Sequence, residues 1–81
     1  MKHTNLVFIK VAGIVAAQAG VPVAKIKSAS TLEGSLGLDD LDVVELVMGA
    51  EDEFGISIPD PSIPAMKTVQ DLVNVVLGLV H

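Results

Sequence analysis

The sequence contains no cysteine, so neither a disulfide framework nor a thiolate metal site can hold the chain together. Basic residues are also few: 5 lysines and arginines stand against 10 aspartates and glutamates, giving a formal net charge of -5. A nucleic acid requires a basic face opposite its phosphates, so this balance argues against nucleic-acid binding. It favours protein partners with basic docking surfaces, because opposite charges steer encounter.

A long uninterrupted hydrophobic run is missing as well. Lys10 interrupts the apolar residues that begin at Leu6, and Gly13, Gly20 and Pro22 follow, whereas a membrane-spanning helix needs roughly 18 or more apolar residues. The first residues resemble the start of a secretory signal, but "AAQAG" fits the end of a helix better than a cleavage site. We therefore expect no membrane span and a cytoplasmic protein.

Apolar residues are nevertheless abundant. They make up 51% of the 81 residues, although only 2% of the chain is aromatic. A chain of this length suffices for one small domain with a modest core. We predict a single domain over residues 1–81 that is stabilised by packing.

Helical spacing of the apolar residues predicts an all-α bundle of three main helices and one short helix. The first helix is expected from about Asn5 to Ala19, with Thr4 or Asn5 as its cap and Gly20 at its end. A long loop, rich in Gly, Ser and Pro, follows to residue 39 and must pack onto the core. Its expected anchors are Val21, Ile26, Leu32 and Leu36.

Local signals define the other helices. Asp39 is a natural N-cap for the second helix, which should end at Gly55. Three prolines in "GISIPDPSIPAM" allow at most one helical turn, around Ile63 to Met66. Thr68 and Asp71 have the spacing of a capping box and predict the start of the last helix.

The second helix combines acidic residues with an exposed apolar pair. Leu46, Val47 and Ala50 form the inner stripe, so Val44 and Met48, to one side of it, should be partly exposed. Exposed apolar side chains ringed by carboxylates are typical of a protein recognition surface. A plain solvated acidic face, with the pair at the edge of the core, is the alternative.

Catalysis and metal binding find little support. The chain has neither cysteine nor an internal histidine that could activate a serine, so we expect no enzyme. Asp39, Asp40 and Asp42 lack the spacing of a calcium-binding loop, so we expect no metal site.

The stretch "LGLDDLDVVELVMGAEDEFGISIPD" resembles the core of acyl carrier proteins, particularly the freestanding type used in bacterial fatty-acid synthesis. The likeness extends to "IVAAQAGVPVAKIKSASTL" upstream and "KTVQDLV" downstream. It implies a protein that presents acyl groups, held on 4'-phosphopantetheine, to other proteins. The implied partners are a phosphopantetheinyl transferase and acyl-handling enzymes with basic docking patches.

One residue departs from the family pattern. The resemblance places the serine that carries the prosthetic group at Asp40, five residues before Glu45, whereas Ser35 lies ten before it. A serine alcohol forms a durable phosphodiester, but a carboxylate would form a labile acyl phosphate. We therefore expect no cofactor in this form, whether the aspartate is natural or engineered. The alternative is a non-carrying module that competes for, scaffolds or regulates the same enzymes.

The resemblance also assigns two sets of residues. Those expected to contact partners are Asp39, Leu41, Asp42, Val44, Glu45, Met48, Glu51 and Asp52. The family's pocket for the acyl chain lies between the helices. Its expected lining is Ile9, Val11, Val15, Leu46, Val47, Ala50, Phe54, Ile58, Leu72 and Val76.

The first helix is apolar on nearly every side. Ala12, Gly13, Ala16 and Ala17 are expected on its outer face, where the family usually has charges. Such a helix could pack on a partner or a second copy of the chain. Small alanines are equally compatible with an ordinary exposed surface.

Overall fold

The structure is a computed structural model that describes the backbone of residues 2–80 and the side chains of residues 6–80. Its α-helices are α1 (Lys2–Ala19), α2 (Asp40–Phe54) and α3 (Val69–Leu79), and short 3₁₀ segments lie at Val23–Lys25 and Asp60–Ala65. No β-strand occurs between residues 2 and 80. The predicted all-α bundle is confirmed, with the second 3₁₀ segment in place of the short helix.

Helix α1 begins earlier than the sequence indicated. It starts at Lys2, so Thr4 and Asn5 lie inside the helix and the prediction that one of them caps it is wrong. Threonine and asparagine are only mildly unfavourable within a helix, so they did not stop it from extending. The far end is as predicted: Gly20 has φ +70° and donates its N–H to the Ala16 carbonyl at 2.8 Å.

The boundaries of α2 follow from short-range hydrogen bonds. The Asp39 carboxylate accepts from the Asp42 N–H at 2.8 Å, and the Asp42 carboxylate accepts from the Asp39 N–H at 3.1 Å. At the other end, Gly55 adopts a left-handed conformation (φ 64°, ψ 40°) and donates its N–H to the Glu51 carbonyl. The predicted cap and terminator are both confirmed.

A second capping box starts α3, as the sequence predicted. Thr68 Oγ1 accepts from the Asp71 N–H at 3.1 Å, and Asp71 Oδ2 accepts from the Thr68 N–H at 3.0 Å. Both helices therefore have fixed starting points, which sets the register of their buried faces.

The core between the helices is apolar. Within the described part of the chain, no polar or charged side chain is buried. The largest fully buried side chains come from all three helices and from the loop after α1: Val11, Val15, Leu32, Leu46, Val69, Leu72, Val73 and Val76.

The long loop between α1 and α2 packs on this core. Ile26 and Leu32 are buried as expected, and Leu38, which the sequence reading overlooked, is buried too. The loop backbone also pairs with the start of α3, since the Leu32 N–H donates to the Lys67 carbonyl at 2.9 Å. These contacts fix the loop despite its length.

The outward face of α1 differs from the prediction. Gly13 and Ala17 are exposed as expected, but Ala12 and Ala16 are buried. Because α1 packs against both α2 and α3, the buried part of its surface is wider than a single apolar stripe. No helix within the described residues is both long and apolar enough to cross a bilayer.

Candidate functional site

Asp40 lies at the N-terminus of α2. It is the first helical residue after the cap Asp39, and its side chain is exposed. A carboxylate in the first turn is favourable, because the N–H groups there carry the positive end of the helix dipole. The fold therefore accommodates an acidic residue at this position without strain.

A groove of about 580 Å³ opens beside Asp40. Such a volume falls within the range of about 300–1,000 Å³ that is usual for small-molecule pockets. Its apolar lining comes from α2 and from the segment before α3, and its polar lining includes residues of the loop between α1 and α2. The lining residues are Thr31, Glu33, Gly34, Asp40, Val43, Val44, Ile63, Pro64, Met66 and Lys67.

The residues predicted to line an acyl pocket do not line this groove. Ile9 is 63% exposed, so its assignment to an interior lining is wrong; α1 turns it away from both neighbouring helices. The others belong to the packed core or lie against it. These nine side chains face the centre of the bundle, and their assignment to an acyl pocket stays a prediction.

An apolar stripe runs along the exposed side of α2. Leu41 is 65%, Val44 41% and Met48 57% exposed, and their spacing of three and four residues aligns them on one face. Leu41, which the resemblance assigns to partner contacts, faces outward. Val44 and Met48 have the exposure predicted for them.

Exposed carboxylates border this stripe. Asp40, Glu45 and Asp52 are exposed, and α2 contains no basic residue. We call the set Asp40, Leu41, Val44, Glu45, Met48 and Asp52 the α2 face. Its combination of apolar centre and acidic border suits a partner with apolar and basic groups.

Other acidic residues expected to contact partners also make bonds within the chain. Asp39 and Asp42 form the capping box described above. Glu51 Oε2 accepts from the Ile58 N–H at 2.7 Å, in a half-buried position. The cap at Asp39 was predicted from the sequence, but the bonds that Asp42 and Glu51 make within the chain were not, because they depend on side-chain geometry.

Gln18 of α1 reaches the α2 face, which the sequence did not predict. Its Nε2 lies 2.8 Å from Glu45 Oε1 and 3.3 Å from Asp42 Oδ1. Gln18 is half-buried and bridges two carboxylates of α2.

Ser35 lies in the loop before α2. Its N–H donates to Thr31 Oγ1 at 2.7 Å, and Thr31 Oγ1 lies 3.1 Å from Ser35 Oγ. The hydroxyl is exposed but belongs to a turn, not to the start of a helix. Its setting thus differs from that of Asp40.

Comparison with known proteins identifies the class. Residues 10–76 match the family described as "Phosphopantetheine attachment site", and the chain belongs to this family. It is 46% identical over 67 residues to an acyl carrier protein of Phaeodactylum tricornutum, covering 83% of this chain and 88% of the relative. It is 44% identical over 69 residues to one of Clostridium acetobutylicum, covering 85% and 90%.

Solved structures agree on the fold. The crystal structure of an acyl carrier protein from Thermotoga maritima has a TM-score of 0.78 at 31% identity, over 93% of this chain and 87% of that one. The apo doublet acyl carrier protein from prodigiosin biosynthesis has a TM-score of 0.82, over 98% of this chain and 38% of that one. At 22% identity, the latter comparison bears on the fold alone.

Proposed function

We propose that this chain is a carrier-type protein of fatty-acid or related lipid biosynthesis that docks on acyl-handling enzymes through the α2 face. We further propose that Asp40 leaves this form without phosphopantetheine. The observation that carries the proposal is the exposed stripe of Leu41, Val44 and Met48 with its acidic border, inside the segment that matches the family. The role is one of presentation to enzymes and not of catalysis.

The α2 face is suited to reversible docking. Its apolar side chains gain free energy when a partner removes them from water, at about 25 cal/mol per Å². Its carboxylates accelerate encounter with basic patches and make the affinity depend on salt. A partner such as a phosphopantetheinyl transferase would then need lysines or arginines around an apolar socket.

The side chain at residue 40 does not fit a lasting attachment of the prosthetic group. An alcohol at the exposed start of α2 would form a stable phosphodiester. The Asp40 carboxylate could form only a mixed anhydride with the phosphate, which hydrolyses readily. On this chemistry, the present form docks but does not carry.

A second candidate function follows from the aspartate at residue 40. The α2 face has the apolar stripe and acidic border that suit docking, although residue 40 lacks the alcohol that attachment requires. A chain that binds acyl-handling enzymes without carrying a substrate could compete for them, scaffold them or regulate them.

Intact mass spectrometry tests the proposal. The chain, Asp40→Ser and Asp40→Ala are each incubated with coenzyme A and a permissive phosphopantetheinyl transferase. We expect the mass of one phosphopantetheine to be added to Asp40→Ser only. Asp40→Ala is the matched control, because it removes the carboxylate without supplying an alcohol.

Two results would contradict parts of the proposed function. A gain of mass by the unaltered chain, mapped to any residue, would overturn the claim that this form holds no prosthetic group. An unmodified but folded Asp40→Ser would favour the non-carrying module, because the attachment alcohol alone would then be insufficient.

A further inference from the structure

We infer that Gln18 is a positioning residue for partner docking: its amide fixes the carboxylate of Glu45 on the α2 face in the orientation that a basic partner group meets. This inference rests on the proposed function, since it requires that the α2 face binds partners. Its structural basis is the pair of contacts from one amide nitrogen to Glu45 at 2.8 Å and Asp42 at 3.3 Å.

The geometry uses both hydrogens of the amide. A glutamine Nε2 carries two N–H groups, so it can donate one to each carboxylate. The bond to Glu45 is short, as expected when the acceptor is charged. Gln18 lies 27 residues before Glu45, so the bond also joins α1 to α2.

Asp42 anchors the other side of the bridge. Its Oδ2 accepts from the Asp39 N–H in the capping box, while Oδ1 lies 3.3 Å from the Gln18 amide. Both oxygens of Asp42 are therefore engaged within the chain. The amide is held against a fixed group, and through it Glu45 is held as well.

A neutral donor suits this position for an electrostatic reason. Asp42 and Glu45 lie one helical turn apart, where like charges repel. The Gln18 amide offsets part of this repulsion without adding a positive charge, whereas a lysine would offset one of the negative charges that a basic partner meets. Glu45 remains exposed, and within the described residues its Oε2 has no hydrogen-bond partner.

Fixing Glu45 beforehand should strengthen docking. Immobilising a long side chain on binding costs affinity, and an already ordered carboxylate avoids part of that cost. Removing the amide should weaken binding about two- to tenfold, the range that corresponds to ordering one such side chain. Asp42, by contrast, should affect binding mainly through its capping bond, which fixes the start of α2.

A double-mutant cycle tests this role. Binding to a permissive phosphopantetheinyl transferase is measured by calorimetry at low salt, for the unaltered chain, Gln18→Ala, Glu45→Gln and the double variant. Gln18→Asn keeps the amide but shortens its reach. Gln70→Ala is the matched control, because it removes a glutamine amide that donates to Asn74 at 2.9 Å on α3.

We expect Gln18→Ala and Gln18→Asn to weaken binding in the unaltered background, and Gln18→Ala to add nothing once Glu45 is glutamine. Gln70→Ala should bind like the unaltered chain. NMR three-bond couplings should show one χ1 rotamer for Glu45 in the unaltered chain and averaging in Gln18→Ala, a change that general destabilisation of the fold would not produce by itself.

The other outcomes distinguish a failure of the inference about Gln18 from a failure of the proposed docking surface. If Glu45→Gln weakens binding but Gln18→Ala does not, the inference about Gln18 is overturned and the docking surface stands. If Gln18→Ala weakens binding equally in both backgrounds, its role is structural and the inference is again overturned. If Glu45→Gln leaves binding unchanged, the assignment of Glu45 to the docking surface fails, and the inference fails with it.

Discussion

The carboxylate of Glu51 accepts a hydrogen bond from the backbone N–H of Ile58 at 2.7 Å. This bond joins the last turns of α2 to the extended segment that follows it, and Ile58 is itself buried. Since Glu51 is half-buried, its bond is less screened by water than a surface contact. Glu51 therefore has a structural role in addition to any part in docking.

Replacing Glu51 should destabilise the fold. Hydrogen bonds to charged groups contribute about 1.5–3 kcal/mol, so we expect Glu51→Ala to lower the free energy of unfolding by an amount near this range. Glu51→Gln keeps an acceptor and should lose less. Asp52→Ala, at the exposed neighbouring position, is the control and should change stability by about 0.5 kcal/mol or less. Urea unfolding measures all three, and equal losses at positions 51 and 52 would contradict the structural role.

Two glycines with open surroundings should respond in opposite ways to alanine. Apart from the adjoining backbone, no atom lies within 4 Å of the Cβ that alanine would add at either Gly13 or Gly55. Gly55 has φ +64°, so Gly55→Ala should cost about 1–2 kcal/mol in backbone strain. Gly13 lies inside α1, where alanine is favoured by about 0.5–1 kcal/mol. Thermal unfolding should therefore show a lower Tm for Gly55→Ala and a higher Tm for Gly13→Ala. The same sign for both would refute the conformational explanation.

The capping box of α3 makes part of the stability depend on pH. Hydrogen bonds from the backbone N–H groups of Lys67 and Thr68 hold the pKa of the Asp71 carboxyl below its ordinary value of 3.8. The unfolded chain therefore binds this proton first as the pH falls. The contribution of Asp71 is complete above the unfolded pKa and is lost as the pH falls through the lower folded pKa.

Urea unfolding of the chain and of Asp71→Ala, from about pH 6 to about pH 2, measures this contribution. The unaltered chain should be the more stable at the upper end, and the difference should shrink below pH 3.8. A difference that stays constant across the series would show that ionisation of Asp71 does not contribute.

Much of the fold could be predicted because its signals are short-range. The capping residues Asp39 and Thr68 bond to groups three residues away, and Gly55 ends α2 through its own backbone conformation. Such features are readable without knowing which elements pack together. No comparably strong capping signal marks the start of α1, and the predicted start lies three residues after the observed one.

The candidate site was less predictable because its parts come from distant segments. The groove brings Thr31, Val43 and Met66 together from three separate segments. In α1, apolar residues on nearly every side gave no clear stripe, so the sequence could not tell exposed Ile9 from buried Ala12. The bond from Gln18 to the α2 face depends on how two helices meet. Each of these features requires the tertiary arrangement.

Two leucines, one in the core and one on the surface, should affect stability and binding differently. Leu72 is 0% exposed and Leu41 is 65% exposed. Leu72→Ala should lower the free energy of unfolding by about 2–5 kcal/mol, because it leaves a cavity in the core. Leu41→Ala should change stability by about 0.5 kcal/mol or less, because its side chain is already in water.

Binding should follow the reverse order. Leu41 lies in the apolar centre of the α2 face, so Leu41→Ala should weaken binding to a phosphopantetheinyl transferase by about 1 kcal/mol or more. Leu72→Ala should bind nearly normally wherever it remains folded, since its side chain does not reach the surface. Calorimetry well below the Tm of each variant separates the two effects. Unchanged binding by a folded Leu41→Ala would exclude Leu41 from the docking surface and leave Val44, Met48 and the carboxylates to recognise a partner.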